Sequence, residues 1–111
     1  MRLEENVADN AIVGPMYDMY MKALAAKDGT ERLRISVDER QLDMEQLFFV
    51  LYAVELCDNP SRDAWIRKLN FGEIPGRLRV NIPLMNFPKF STAFGCVAGM
   101  PMNPTRKCAI W

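Results

Sequence analysis

Histidine is absent from the 111 residues. Zinc sites built on His-Glu-x-x-His, which take both histidines from one helix, are therefore excluded within this sequence. No Cys-x-x-Cys pair occurs among Cys57, Cys96 and Cys108, which excludes a zinc ribbon or a thioredoxin motif. Their number is odd, so at least one has no partner within the chain. An excess of charge of one sign is also lacking: 14 Lys and Arg balance 14 Asp and Glu. Without a basic stripe there is no support for a nucleic-acid partner. The longest apolar run, Leu47 to Val54, is far shorter than the roughly 20 residues that cross a bilayer. Met1-Arg2-Leu3-Glu4-Glu5 turns acidic where an apolar stretch should follow, so no signal peptide or other targeting signal is expected. The ending Cys108-Ala109-Ile110-Trp111 has the outline of a prenylation box. Tryptophan is an unusual last residue and no polybasic stretch precedes it, so lipidation is rejected.

Half of the residues are apolar and a quarter are charged, the balance of a globular chain long enough for one domain. Eight Met and six Phe are assigned to the core. From about Leu3 to Ala26 the apolar residues recur every three to five positions, which predicts a helix that Gly14-Pro15 should kink or divide. Gly29 is read as its left-handed cap and residues 30–42 as a surface loop. Asp43 with Gln46 forms a capping-box pattern that opens a helix from Met44 to about Cys57. That helix is apolar nearly all round and is expected to be buried. Asn59-Pro60 should cap a shorter helix running to about Leu69. Arg77 to Ile82 alternates polar and apolar residues, predicting a strand or extended segment. Asn86-Phe87-Pro88 should cap a last helix through Phe94, stopped at Gly95. A Pro/Gly-rich tail follows, pinned by its cysteines. The class is mainly α, with about four helices.

Glu5 and Asp9 lie one turn apart on the same helix face. Alone, Glu-x-x-x-Asp is common on solvated helices. On a zinc-binding helix the glutamate could ligate the metal, while the aspartate accepts the free N–H of a metal-bound histidine. The segment Glu5-Asn6-Val7-Ala8-Asp9-Asn10 resembles the Glu-Asn-Ile-Ala-Asp-Asn motif of the neprilysin and endothelin-converting-enzyme family of zinc metallopeptidases. Ala11 and Ile12 stand where that family usually has two glycines. Gln46-Leu47-Phe48-Phe49, Pro75-Gly76-Arg77-Leu78-Arg79-Val80, Phe90 to Cys96, Met102-Asn103-Pro104 and Cys108 to Trp111 extend the resemblance over about the whole chain.

The resemblance implies a C-terminal part of such a peptidase domain, covering residues 1–111. Glu5 would be the third zinc ligand, Asp9 the partner of a histidine ligand and Arg79 the residue that holds the substrate's backbone carbonyl. Zinc is expected only with histidine ligands supplied from upstream, and none is expected on the isolated chain. Where the family has an oxyanion-stabilising histidine, six residues before the arginine, this chain has Glu73. A carboxylate cannot donate to an oxyanion at neutral pH and would repel it. On spacing alone the cysteines suit reduced, buried thiols. The resemblance instead implies that Cys57, Cys96 and Cys108 pair with upstream cysteines. The implied partners are peptide substrates of the complete protein and the upstream part of the same domain. The implied location is extracellular or at the plasma membrane, as a type II protein. Two other readings stand beside this one: a catalytically dead remnant that binds a partner, and an independent helical interaction module.

Overall fold

A stripe of side chains on the first helix sets what packs against it. The computed structural model describes residues 3–27 and 35–109, apart from the side chains of Ile35 and Val37. Helix α1 (Leu3–Ala26) buries Asp9, Val13 and Tyr17, which follow one another at four-residue intervals along one face. Pro15 lies inside this helix on its exposed side and does not divide it, which leaves a kink as the remaining part of the expectation. A proline removes one backbone donor, and the buried stripe on the other face outweighs that loss. The cap expected at Gly29 lies outside the described residues.

Part of the expected loop is a hairpin. Strands β1 (Ile35–Val37) and β2 (Arg40–Leu42) pair antiparallel, with Ile35 opposite Leu42 and Val37 opposite Arg40. Asp38 (φ 45°) and Glu39 (φ 66°) make the two-residue turn in the left-handed region. That backbone matches the twist of the strands, and Asp-Glu lacks the glycine that usually announces it.

Helix α2 (Met44–Glu55) opens with the predicted capping box. Asp43 Oδ1 accepts from the Gln46 backbone N–H at 2.7 Å, and Gln46 Oε1 accepts from the Asp43 N–H at 3.1 Å. Gln46 also donates through Nε2 to the Ala93 carbonyl at 2.9 Å, so the cap ties α2 to the far end of the chain. Phe49, 2% exposed, is the hub of the core: its ring stacks on Tyr17 and meets Phe48 and Phe90 edge-on. Such ring pairs contribute about 0.5–1.5 kcal/mol each beyond the area they bury. The opposite side of α2 is open. Leu51 and Val54 are 50% and 61% exposed, and Ile12, Met16 and Met19 of α1 are exposed as well. The expectations of a fully buried helix and an all-core set of methionines are corrected accordingly: α2 buries only the side that faces Tyr17 and Phe90.

Helix α3 (Arg62–Asn70) starts later than expected. Ser61, in extended backbone, accepts from the Ala64 N–H through Oγ at 3.3 Å and takes the capping role expected of Asn59. Residues 77–82 are not extended; they lie in helix α4 (Gly76–Asn86). Six alternating residues were too few to decide the period, whereas α4 brings Val80 and Leu84 against the core and Arg79 against α1. Helix α5 (Pro88–Ala93) is capped by Phe87 without a side-chain bond, because Asn86 donates through Nδ2 to Asn10 Oδ1 on α1 at 3.0 Å. Gly95 (φ 62°) follows the α5 cap residue Phe94 in the left-handed region, the stop the sequence predicted.

The tail is pinned, but by hydrogen bonds. Lys107 Nζ donates to the Met85 carbonyl at 2.6 Å and the Cys108 N–H to Asn86 Oδ1 at 3.0 Å. Asn103 Nδ2 donates to the Cys96 carbonyl at 2.8 Å. All three cysteines are free; Cys57 and Cys108 are exposed and Cys96 half-buried, so none is a core thiol.

Burial and the Glu45 carboxylate, which accepts from the Tyr17 hydroxyl at 2.6 Å, push the Tyr17 phenol up to about 12 from its ordinary 10.0. Burial and the nearby Asp9 charge push Tyr52 up to about 12 as well. Both folded values exceed the unfolded one. Their stabilisation is therefore complete below pH 10 and is lost as pH rises towards about 12. Denaturant midpoints followed across this window, alongside tyrosinate absorbance, are expected to fall. The Tyr17→Phe/Tyr52→Phe double variant is expected to show a shallower decline.

Candidate functional site

Asp9 and Arg79 are seventy residues apart and form a doubly hydrogen-bonded polar contact between α1 and α4. The guanidinium meets the carboxylate as a two-toothed fork: Nε donates to Oδ2 at 2.8 Å and Nη2 to Oδ1 at 2.9 Å. The residues are placed for this by spacing, since Asp9 heads the buried stripe of α1 and Arg79 lies one turn into α4. Asp9 is 7% exposed, whereas the Arg79 side chain is 34% exposed. Hydrogen bonding to Asp9 holds the Arg79 guanidinium above its ordinary range, against burial, which lowers it. The Tyr52 hydroxyl donates to the Arg79 backbone carbonyl at 3.3 Å. A second clamp between the same helices is the Asn86–Asn10 bond, backed by Asn10 Nδ2, which donates to both Asn6 oxygens at 2.8 Å.

Three of the sequence-predicted residues converge. Glu5, Glu73 and Arg79 line one cavity of about 370 Å³, together with Glu55, Cys57, Asp58, Lys68, Ile74 and Gly76. Asp9 lies on the wall of a neighbouring apolar groove of about 700 Å³, floored by Tyr20, Phe48, Tyr52 and Leu56 and edged by Ile12, Met16, Met19 and Leu51. The Asp9–Arg79 fork thus separates a polar cavity from an apolar one. In the polar cavity, Lys68 is held to Asp58 at 3.0 Å and Arg79 to Asp9, so the carboxylates outnumber the cations.

Gly76 brings α4 close to the C-terminus of α2. A Cβ at this position would collide with the Leu56 backbone carbonyl and come within 2.9 Å of Asp58 Oδ1. Sequence reasoning did not single out Gly76, Tyr52 or Asn86 for the site. Gly76 stands in a quoted motif, but its packing against Leu56 depends on tertiary structure. The donor set present does not fit a zinc ion. Among the described residues no three His, Cys, Asp or Glu side chains come together as a metal site, and Glu5 is the one zinc ligand that the family resemblance assigns.

What the fork can do chemically follows from its valence. A guanidinium has five N–H donors, and two are committed to Asp9, so three point elsewhere on a plane that the fork holds fixed. This suits recognition of a carbonyl or carboxylate oxygen.

The sequence profile of peptidase family M13 matches residues 1–110. The chain is 39% identical to neprilysin-1 of Caenorhabditis elegans over 108 residues, 96% of this chain and 14% of that protein. It is 36% identical to membrane metallo-endopeptidase-like 1 of Mus musculus over 110 residues, 98% of this chain and 14% of that protein. Human neprilysin is 34% identical over 110 residues with the same coverage. The chain therefore spans about one seventh of the length of these relatives.

Removing the two halves of the fork should have unequal effects. Arg79→Met leaves a buried carboxylate unpaired and is expected to cost about 2 kcal/mol. This is less than the full penalty of a deeply buried pair, because the guanidinium is partly solvated. Asp9→Asn leaves a cation that water can reach and should cost about 1 kcal/mol. Chemical denaturation of both variants tests the ordering. Gly76→Ala should cost about 3 kcal/mol, because the obstructing atom is backbone and cannot swing aside; a change below about 0.5 kcal/mol, within ordinary surface variation, would refute the close approach.

Proposed function

The chain belongs to peptidase family M13, and from that premise we propose that it is the C-terminal part of a zinc-dependent metalloendopeptidase domain, inactive alone. The observation that carries this reading is the meeting of Glu5 and Arg79 at one cavity, with Asp9 forked to the arginine. In the complete protein Glu5 supplies one carboxylate ligand, and the histidine ligands come from the upstream part of the domain. With those histidines supplied, the site would hold zinc through Glu5, and the chemistry it would supply is Lewis acidity. Arg79 offers its remaining N–H groups to the backbone carbonyl of a peptide substrate. Asp9 fixes the plane of that guanidinium, and its other lone pairs remain for a histidine N–H.

The open apolar face supports the same reading. Ile12, Met16, Met19, Leu51 and Val54 form an apolar surface shared by α1 and α2, of the kind that marks an interface. We assign it to contact with the upstream part of the domain. Exposed Cys57 and Cys108 suit disulfides with that part, in an extracellular or plasma-membrane protein. No helix among the described residues is long and apolar enough to cross a membrane.

Glu73 favours a second reading, a non-enzymatic binding protein. It adds a carboxylate to the cavity where an oxyanion would need a donor. The test joins this chain to the upstream part of a family relative, replacing the corresponding C-terminal segment. The chimera is expected to bind zinc stoichiometrically, to lose it on Glu5→Ala, and to gain at least tenfold in kcat on Glu73→His, about the size of one donor's contribution or less. A zinc-loaded chimera that stays inert after Glu73→His would support the binding protein. The isolated chain should retain no stoichiometric zinc after dialysis and hydrolyse no peptide. Zinc retention with Glu5-dependent hydrolysis by the chain alone would overturn the proposal.

A further inference from the structure

Pro83 lies inside α4, fully buried, and has no N–H to return to the carbonyl four residues earlier. That carbonyl belongs to Arg79. The ring of a mid-helix proline also crowds this oxygen and turns it away from the helix axis. A part-buried carbonyl without a donor is costly, so a replacement is needed. The Tyr52 hydroxyl stands in that place, donating to the Arg79 carbonyl at 3.3 Å. Tyr52 is 8% exposed and comes from α2, whose Phe49 and Tyr52 share the apolar core with Val80 and Leu84 of α4.

From this geometry we infer that Tyr52 is a positioning residue for Arg79, substituting for the helical donor that Pro83 lacks. The peptide unit that carries the guanidinium is then fixed from two sides. Asp9 on α1 holds the side chain, and Tyr52 on α2 holds the backbone. Tyr52 also borders the apolar groove, while Arg79 lines the polar cavity, so the bond joins the two spaces through one peptide group. The inference rests on the proposed role of Arg79 in holding a substrate oxygen.

The two residues form one device, and their effects should not add. Tyr52→Phe removes the donor and keeps the ring. With Pro83 present it should raise the unfolding equilibrium constant about fivefold, the effect of one part-buried hydrogen bond. In a Pro83→Ala background, residue 83 regains an N–H for Arg79, and the same change should matter by less than about twofold. The second readout is proton exchange of the Arg79 Nε–H by NMR in dilute samples, which reports the fork to Asp9. Tyr52→Phe should speed that exchange about fivefold at unchanged helix content, and Pro83→Ala should restore it. Equal penalties of Tyr52→Phe in both backgrounds would overturn the inference. Unaltered Arg79 exchange in Tyr52→Phe would do so too, and that result decides the matter even if Pro83→Ala does not fold. A coupled Arg79 signal combined with an inert Glu73→His chimera would reject the peptidase reading and leave the Tyr52–Arg79 coupling standing.

Discussion

The fork between Asp9 and Arg79 is the constraint on which the rest of the arrangement depends. It fixes the rotation of α1 about α4, and with it which residues of α1 face inward. Val13 and Tyr17 follow Asp9 into the core, and Glu5, one turn earlier, is brought to the cavity that Arg79 lines. The pair is asymmetric. A carboxylate almost wholly withdrawn from water faces a guanidinium still partly wet, so desolvation falls mainly on Asp9, and the bidentate geometry offsets it.

Other polar contacts reinforce this rotation. The Asn6–Asn10–Asn86 amide chain repeats the α1–α4 connection further along the helices, and the Cys108 N–H extends it into the tail. Gln46 performs the equivalent task for α2 and α5, closing its own helix cap while bonding to Ala93. Each of these side chains joins segments distant in sequence. A small core with one open face is in this way given a single register by its polar contacts.

Sequence reasoning succeeded where the signal was local. The Asp43/Gln46 box, the Gly95 stop and the long first helix are written in neighbouring residues. Glu5, Asp9 and Arg79 were singled out through motifs, and of these Glu5 and Arg79 line one cavity. What was missed depended on tertiary partners. Arg77 to Ile82 alternates like a strand, and only the contacts of Arg79, Val80 and Leu84 select the helix. Asn86 was read as a cap from its local preference, although α1 claims its amide. The Asp38-Glu39 turn adopts left-handed backbone without glycine, and no local residue reported it. That Asp9 and Arg79 would bond to each other could not be read from a motif that gives each a separate partner.

The pairing of α1 with α4 also has a consequence for synthesis. The chain emerges from the ribosome at roughly 5–20 residues per second, so Asp9 waits on the order of 4–14 seconds for Arg79. Throughout that interval Val13 and Tyr17 have no Leu84 or Phe87 to cover them. The carboxylate-bearing helix therefore lacks part of its cover until α4 has emerged, and Leu84 and Phe87 complete it.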